Sequence, residues 1–230
     1  FGSLAGGIVF NLVIIWFLKT FQSLTLLALF NLMMISWLAW RHHMRRLVWF
    51  TGAFFIGMVL LNIFVNPDLL ARRYLYAGHD VEYFKSSPYG NIVVTRQGEQ
   101  INFYENQLLL FSSQQPTLSE ESVHYPMLQH DQPGQVLLLS GGTPGMIREI
   151  LKYDIHHLDY VEINPWLIQA VRKYSQVYKN PRVGVINQDA RLYVKNTDKH
   201  YDAALINLPE PSTVQLNRYY TESFYKELKK

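Results

Sequence analysis

Three long runs of uncharged, mostly apolar residues at the start of the chain limit its possible folds more than any other feature. The runs are Phe1–Leu18, Phe21–Trp40 and Leu47–Val65, and each contains 18 to 20 residues. At about 1.5 Å per residue, a helix of this length crosses the roughly 30 Å apolar layer of a membrane. We therefore predict three transmembrane helices over residues 1–65. Buried core helices would not be separated by such short loops, and a signal peptide would begin with basic residues and end in a cleavage site.

Charged residues are unevenly distributed along the chain. No Asp or Glu occurs before Asp68, and only four of the 21 Lys and Arg precede residue 66. The remaining residues carry 17 basic and 18 acidic side chains, which does not indicate a nucleic-acid-binding surface. The absence of cysteine excludes disulfides, cysteine nucleophiles and thiolate metal sites. His156 and His157 are adjacent and point in different directions, so we predict no metal site.

The loop between the second and third runs contains the largest basic cluster of this region. The segment RHHMRR, residues 41–46, has three Arg, whereas the turn between the first two runs has Lys19 alone. Because cytoplasmic loops are enriched in Lys and Arg, this loop is predicted to lie in the cytoplasm and residues 66–230 outside it. Arg72 and Arg73 follow the third run and weigh against this orientation.

Polar and small residues within the runs indicate contacts with other helices. Each run contains one asparagine: Asn11, Asn31 or Asn62. An amide in lipid requires a hydrogen-bond partner, so we predict further helices, either from a longer chain or from other membrane-protein subunits. Gly2 and Gly6 are four residues apart, which suits close helix approach but is also ordinary glycine usage.

Residues 66–80 have the composition of a connector, and residues 81–121 have the pattern of a small antiparallel sheet. Asn91–Arg96 and Ile101–Tyr104 are rich in β-branched and aromatic residues, and the intervening QGEQ indicates a turn. Leu108–Phe111 fits a third strand, and a polar stretch follows it.

Apolar runs alternate with segments of helical periodicity across residues 122–230. The predicted strands and the helices that follow them are Val136–Leu139 with Gly145–Lys152, Leu158–Ile163 with Pro165–Tyr174, Val183–Asn187 with Ala190–Val194, and Ala203–Ile206 with Tyr219–Leu228. This alternation predicts an α/β fold, in which a parallel sheet has helices on both faces. Because the chain begins at Phe1 and ends on a charged helical segment, we expect these residues to be part of a longer protein.

Candidate ligand-binding residues follow the predicted strands at their carboxyl ends, where parallel sheets bind ligands. Gly141, Gly142 and Gly145 follow the first strand, where glycine permits close approach to a ligand or simply close packing. Glu162 ends the second strand, where an acid can accept hydrogen bonds from a ribose or lie in solvent. Asp189 follows the third strand, where it can accept from an adenine amino group or cap the next helix.

Five segments together resemble the spermidine synthases, or polyamine aminopropyltransferases. They are SPYGNIVVTR, VLLLSGGTPGMIREILKY, YVEINP, INQDARLYV and DAALINLPEPSTVQLNRYYTESFYKEL. The chain is most similar to bacterial members in which a block of membrane helices precedes the domain, and GSLAGG and LFNLMM match within that block. The resemblance implies a multi-pass protein of the bacterial inner membrane. Its Rossmann-like, methyltransferase-type domain would cover residues 122–230 and be incomplete at the C-terminus.

The resemblance also implies a site for decarboxylated S-adenosylmethionine or methylthioadenosine beside a site for a diamine. In the nucleoside half, Glu162 matches the family's ribose-binding acid and Asp189 its adenine-binding acid. The loop glycines Gly141, Gly142 and Gly145 match the family's glycine loop. These five residues are the predicted cofactor-binding set.

The amine half departs from the family pattern. Asn207 stands where the family has the carboxylate that takes the amine proton, and an amide cannot accept that proton. Thr143 and Pro144 replace a second acid and the glycine after it. Tyr89–Gly90 replaces a Tyr-Gln pair, and Ser119–Glu121 replaces Tyr-His-Glu. We therefore predict no catalytic residue.

Losses confined to the amine half favour a catalytically degenerate, membrane-anchored homologue that serves as a scaffold or accessory subunit. One alternative is a nucleoside-binding transferase of altered specificity, with Glu210 or Glu121 as base. The other is a divergent polyamine aminopropyltransferase. Nucleoside affinity would separate both transferases from a scaffold, and turnover with putrescine would separate the two transferases.

Overall fold

The computed structural model describes residues 2–10, 20–65, 67–87, 89–208, 210–211 and 213–229. The chain divides into two compact units, Phe1–His79 and Asp80–Lys230. The first unit is helical, and the second contains both sheets.

In the first unit, the second and third apolar runs form two long helices. In its described residues the helices are α1 (Gly2–Val9), α2 (Thr20–Arg41), α3 (Arg45–Phe64) and α4 (Pro67–Leu75). Most of the second half of the first predicted span, with Asn11, lies outside the described residues. The predicted connector is helical over nine residues, because PDLLARRYL has leucines and arginines with good helix propensity.

Within the described residues, α2 and α3 are long and apolar enough to cross a membrane. Their large apolar side chains are mostly exposed; Trp49, for example, is 81% exposed. Buried core helices and signal sequences can share this length and composition. Insertion in the bacterial inner membrane, the orientation and the partner subunits therefore stay predictions.

One predicted asparagine contact is present between these helices. The Asn62 Nδ2 atom of α3 donates to Thr25 Oγ1 of α2 at 3.2 Å. Asn31 instead donates to the carbonyl oxygen of Leu27 within its own helix, at 2.9 Å.

The second unit begins with an antiparallel sheet of four strands among the described residues, in the order β1-β2-β3-β4. These strands are β1 (Asp80–Ser87), β2 (Gly90–Gln97), β3 (Gln100–Glu105) and β4 (Leu108–Ser112). The three predicted strands correspond to β2, β3 and β4. Strand β1 is not apparent from its sequence, which is charged and polar. It forms a strand because its backbone pairs with β2. The polar stretch after β4 leads into a further unpredicted element, the helix α5 (Thr117–Met127).

The remainder of the unit is an alternation of strands and helices. The strands are β5 (Gln135–Leu139), β6 (His157–Glu162), β7 (Val183–Asn187) and β8 (Ala203–Ile206). The helices are α6 (Pro144–Ile150), α7 (Pro165–Tyr174), α8 (Ala190–Asn196), α9 (Val214–Asn217) and α10 (Glu222–Leu228), and a 3₁₀ turn covers Val177–Lys179. The described strands pair in parallel in the order β7-β6-β5-β8, which confirms the predicted α/β fold.

A hydrophobic core lies on each face of the parallel sheet because successive strand residues point to opposite sides. On one face, Leu138 of β5 belongs to a buried cluster with Ile147 of α6. On the other, Leu139 belongs to a cluster with Tyr193 of α8 and Phe224 of α10. Helices therefore pack on both faces, as the sequence predicts.

The antiparallel sheet packs against α7 through its first strand. The Lys85 Nζ atom lies 3.9 Å from the centroid of the Trp166 ring, a cation–π contact. The Tyr83 hydroxyl donates to Gln169 Oε1 at 3.2 Å. This packing holds the small sheet beside the start of α7 and thus beside the end of β6.

Candidate functional site

The carboxyl ends of the parallel strands form one edge, and the predicted site residues lie along it. The loop 140–145 follows β5, Glu162 ends β6, Asp189 follows β7 and Asn207 follows β8. The Asn207 backbone N–H donates to the carbonyl oxygen of Leu139 at 3.0 Å, which fixes Asn207 beside the start of the loop. The topology therefore brings the predicted nucleoside and amine positions to one edge.

The glycine loop is closely packed from several sides. Ser140 and Gly141 have left-handed backbone conformations, with φ of 62° and 63°. A Cβ atom on Gly142 would lie 2.3 Å from the ring of Tyr160, and one on Gly145 would lie 2.3 Å from Ser119 Oγ. The alternative role noted for these glycines, close packing, is therefore present in the structure.

We expect Gly141→Ala to destabilise the protein by more than the usual cost of placing alanine in a left-handed conformation. The new Cβ would lie 2.2 Å from Asn207 Nδ2 and 2.9 Å from the Asn207 carbonyl oxygen. The clash and the positive φ together should lower the free energy of unfolding by roughly 2–4 kcal/mol in denaturant titrations. Gly98→Ala is the matched control, because Gly98 has φ of 59° and nothing within 4 Å of the new Cβ. Equal losses in the two variants would contradict the packing role.

Glu162, the last residue of β6, is buried beneath the glycine loop and is connected to it by hydrogen bonds. Its side chain accepts hydrogen bonds from the Tyr160 hydroxyl at 2.9 Å, the Ser140 hydroxyl at 3.3 Å and the Asn164 backbone N–H at 2.9 Å. Burial raises the pKa of Glu162, although these groups and the Gly141 backbone N–H favour its charged form. The residue is 3% exposed, so its observed contacts are within the protein.

Asn164 connects Glu162 to a second carboxylate that the sequence does not reveal. Its side-chain oxygen caps α7 by accepting from the Trp166 backbone N–H at 3.2 Å. Its Nδ2 atom donates to Glu105 Oε1, at the end of β3, at 2.8 Å. Burial and the nearby charge of Glu162 raise the pKa of Glu105. An Asn before Pro165 is a recognisable helix-cap signal, whereas Glu105 reaches the site only through the packing of the two sheets.

Asp189 combines its predicted capping role with two further contacts. Its Oδ1 atom accepts from the Leu192 backbone N–H at 3.0 Å, as a cap of α8. Its Oδ2 atom accepts from the Tyr219 hydroxyl at 2.9 Å and pairs with Arg218. Burial favours the neutral acid, but these hydrogen bonds and the Arg218 charge outweigh it and lower the pKa of Asp189. Burial, together with the hydrogen bond to Asp189, raises the pKa of Tyr219 to about 12.

The two positions where acids are expected from the resemblance carry neutral groups in the structure. Thr143 is 1% exposed, and its Oγ1 atom has no hydrogen-bond partner among the described residues. The Asn207 Nδ2 atom donates to Met146 Sδ at 3.0 Å, a weak acceptor. Neither side chain can accept a proton from a substrate amine at neutral pH.

The remaining residues of the predicted amine half are dispersed around the loop. Ser119, in α5, lies against Gly145, whereas Glu121 is exposed. Tyr89 is 50% exposed beside the first residue of β2, and Glu210 is exposed after β8. In the described part of the chain, no group of three His, Cys, Asp or Glu is placed to hold a metal ion.

The donor and acceptor groups at this edge fit a nucleoside better than a cationic amine. Carboxylates accept hydrogen bonds from ribose hydroxyls and from the adenine amino group. At this edge Glu162 ends β6, Asp189 follows β7, and Glu105 reaches the end of β6 from β3 through Asn164. The unpaired Thr143 hydroxyl adds a neutral group within the loop. The residues thus fit the nucleoside part of decarboxylated S-adenosylmethionine or methylthioadenosine.

Comparison with known proteins identifies relatives of this chain. A family model described as "Spermine/spermidine synthase domain" matches residues 116–230. Polyamine aminopropyltransferase 2 of Ralstonia nicotianae is 28% identical over 250 residues, covering 99% of this chain and 48% of the relative. Polyamine aminopropyltransferase of Leptospira interrogans is 33% identical over 155 residues, covering 64% of this chain and 31% of the relative. The chain thus spans less than half the length of both relatives.

Solved spermidine synthase structures share the fold. A spermidine synthase in complex with the transition state analogue AdoDATO is 26% identical, with a TM-score of 0.58. The match covers 64% of this chain and 53% of that protein. Spermidine synthase from Thermotoga maritima is 25% identical, with a TM-score of 0.57, and the match covers 64% and 52% of the two chains.

These relatives overturn the predicted scaffold role. Both curated relatives are named as aminopropyltransferases, and both solved structures are spermidine synthases. They support the divergent aminopropyltransferase, one of the two alternatives, over a degenerate scaffold. The family match covers half of the chain, and the parallel and antiparallel sheets agree with the solved structures. The chain belongs to the spermine/spermidine synthase family.

Proposed function

We propose that the protein is a divergent polyamine aminopropyltransferase. The supporting observation is that one sheet edge combines the glycine loop, Glu162 and Asp189 in a chain whose relatives carry the same activity in their names. In this proposal the edge binds decarboxylated S-adenosylmethionine through its nucleoside. Loop glycines Gly141, Gly142 and Gly145 permit the close approach.

Each acid of the edge has a role in positioning the nucleoside. Asp189 accepts from the adenine amino group, and its bonds to Tyr219 and the Leu192 backbone N–H hold its carboxylate in place. Glu162 holds the Ser140 hydroxyl from below, so that the loop keeps its left-handed conformation at Ser140 and Gly141. These contacts fix the nucleoside relative to the ends of β5 and β8.

The nucleoside substrate supplies an aminopropyl group on a sulfonium, so that a C–N bond forms to the incoming amine while the C–S bond breaks. The incoming nitrogen must lose a proton to expose its lone pair. Asn207 cannot take that proton, and Thr143 adds no negative charge to attract a cationic diamine. The protein's own groups therefore favour an amine that arrives neutral.

The neutral side chains of Asn207 and Thr143 also favour a second candidate, a nucleoside-binding transferase that acts on another acceptor substrate. An acceptor that carries no positive charge does not need a carboxylate to attract it. In this case Glu162 and Asp189 keep the same positioning roles, and only the acceptor differs.

Titration calorimetry of the detergent-purified protein should show binding of decarboxylated S-adenosylmethionine and methylthioadenosine. We expect Asp189→Asn to weaken binding about 10-fold, because it replaces one charged acceptor. Asp131→Asn, in an exposed loop, is the matched control and should bind as the unchanged protein does. Turnover with putrescine would then separate the aminopropyltransferase from the second candidate. No binding at millimolar ligand would remove both.

A further inference from the structure

Three hydrogen bonds hold the Glu162 carboxylate in one orientation. Its Oε2 atom accepts from the Tyr160 hydroxyl at 2.9 Å and from the Ser140 hydroxyl at 3.3 Å. Its Oε1 atom accepts from the Asn164 backbone N–H at 2.9 Å. Because the residue is only 3% exposed, these protein donors and not solvent determine where its oxygens point. A carboxylate has about four lone-pair positions, so the three bonds leave one acceptor position on Oε1 for a ligand.

Tyr160 is the most firmly fixed side chain of this set. It has no exposed surface, and a Cβ atom on Gly142 would lie 2.3 Å from its ring. The ring centroid also lies 5.7 Å from that of Tyr178. Ser140, by contrast, is half-buried, and its hydrogen bond to Glu162 is longer. Packing around its ring therefore holds the Tyr160 hydroxyl at Oε2.

We propose that Tyr160 is a positioning residue of the nucleoside site, which holds Oε2 of Glu162 so that Oε1 accepts a ribose hydroxyl. The inference rests on the proposed function, because it concerns the group that orients the ribose-binding acid of that same site. Tyr160 acts through Glu162, since its own hydroxyl is buried beneath the loop.

Titratable side chains face Glu162 from three elements: Tyr160 from its own strand, Glu105 from β3 and Tyr178 from the 3₁₀ turn. Burial raises the pKa of Glu162, and the Tyr160 hydrogen bond opposes this rise because it favours the charged form. A proton on the carboxylate would turn one oxygen into a donor. Binding of a ribose should therefore weaken as the pH falls through the Glu162 pKa. Without the Tyr160 hydroxyl that pKa is higher, so the weakening should begin at a higher pH.

Tyr160→Phe tests the proposal, because phenylalanine keeps the ring against Gly142 and removes only the hydroxyl. In titration calorimetry of the detergent-purified protein between about pH 5 and pH 8, binding of methylthioadenosine should weaken toward acid pH. The midpoint of this weakening should move up by about one pH unit in the variant, which corresponds to one lost hydrogen bond to a charged group. The 2′,3′-dideoxy analogue keeps the adenine and lacks the hydroxyls, so its affinity should not show this midpoint in either protein.

Tyr178→Phe is the matched control, because it also removes a tyrosine hydroxyl that bonds beside the loop. That hydroxyl donates to the Gly142 carbonyl oxygen at 2.8 Å. A merely structural role of Tyr160 would lower the melting temperatures of both variants and leave the midpoint in place in both. We expect only Tyr160→Phe to move the midpoint. Glu162→Gln is a second variant, which keeps an oxygen for Tyr160 but cannot titrate, so the midpoint should be lost.

Each other result overturns a distinct claim. A midpoint that stays in place in Tyr160→Phe, or that moves equally in Tyr178→Phe, would overturn the role of Tyr160 alone. So would an affinity that does not change with pH in either the unchanged protein or Tyr160→Phe. A midpoint that persists in Glu162→Gln, or that appears with the dideoxy analogue, would belong to another group such as Glu105 and would also overturn it. No binding of either ligand by the unchanged protein would overturn the proposed function itself, and this inference with it.

Discussion

Replacing Asn207 by Asp is expected to raise aminopropyl transfer to putrescine by about 10²-fold, the lower range for a positioned general base. Asn207 is half-buried at the end of β8, beside Gly141 and Met146, and Asp has nearly the same shape. The variant loses only a weak hydrogen bond to a sulfur atom. It gains a carboxylate that can attract the diamine and accept its proton.

Asn217→Asp provides the control for added charge, because Asn217 is exposed in α9. The two variants have the same net charge, so only the position of the carboxylate differs. Rates would be measured as methylthioadenosine released from decarboxylated S-adenosylmethionine at saturating putrescine. If Asn207→Asp is no faster than the control, the end of β8 is not where the amine reacts.

Removing the Glu162 side chain should have the largest effect on stability. Glu162→Ala would leave three donors beneath the loop without their acceptor: the hydroxyl groups of Ser140 and Tyr160 and the Asn164 backbone N–H. Because buried unpaired donors are costly, the free energy of unfolding should fall by roughly 3–5 kcal/mol. For a chain of this size, the melting temperature should fall by about 10 °C.

The matched control for this loss is Glu222→Ala, at the start of α10. Glu222 has an 82% exposed side chain and an ion pair with Lys226, so its removal should change the stability little. Both melting temperatures can be followed by circular dichroism in the same detergent. A Glu162→Ala protein as stable as the control would show that Glu162 does not hold the loop.

The regular part of the fold is predictable because each strand of the parallel sheet is short, apolar and followed by a helix. Segments with mixed composition are harder to predict. Helix α5 contains Ser, Thr and an internal Pro126, and its order depends on burial of Val123 and Met127 in the core. Strand β1 likewise has charged residues along its length and is ordered by pairing with β2.

The positions of the site residues are predictable from strand ends, but their contacts are not. Glu162 and Asp189 lie where the sequence places them, at or just after the ends of β6 and β7. The pairing of Asp189 with Arg218 joins residues 29 apart in the sequence. Glu105 comes from the other sheet, 59 residues before Asn164, and no local pattern indicates this approach.

The prediction of a scaffold fails for a related reason. Neutral groups at Thr143 and Asn207 show which acids are missing, but they do not show whether transfer is abolished. An amine that arrives neutral needs no base, and partial rates remain when one catalytic group is absent. The named activities of the relatives are the better guide.

Asn164 has a consequence for the entropy of ligand binding. Its side-chain oxygen is held by the Trp166 backbone N–H, its side-chain nitrogen by Glu105, and its own backbone N–H by Glu162. Rotating the amide by 180° would set a nitrogen against the Trp166 donor and an oxygen against a carboxylate. One orientation is therefore selected when the chain folds. The conformational freedom of this part of the site is lost before any ligand arrives, and binding does not have to bear that cost.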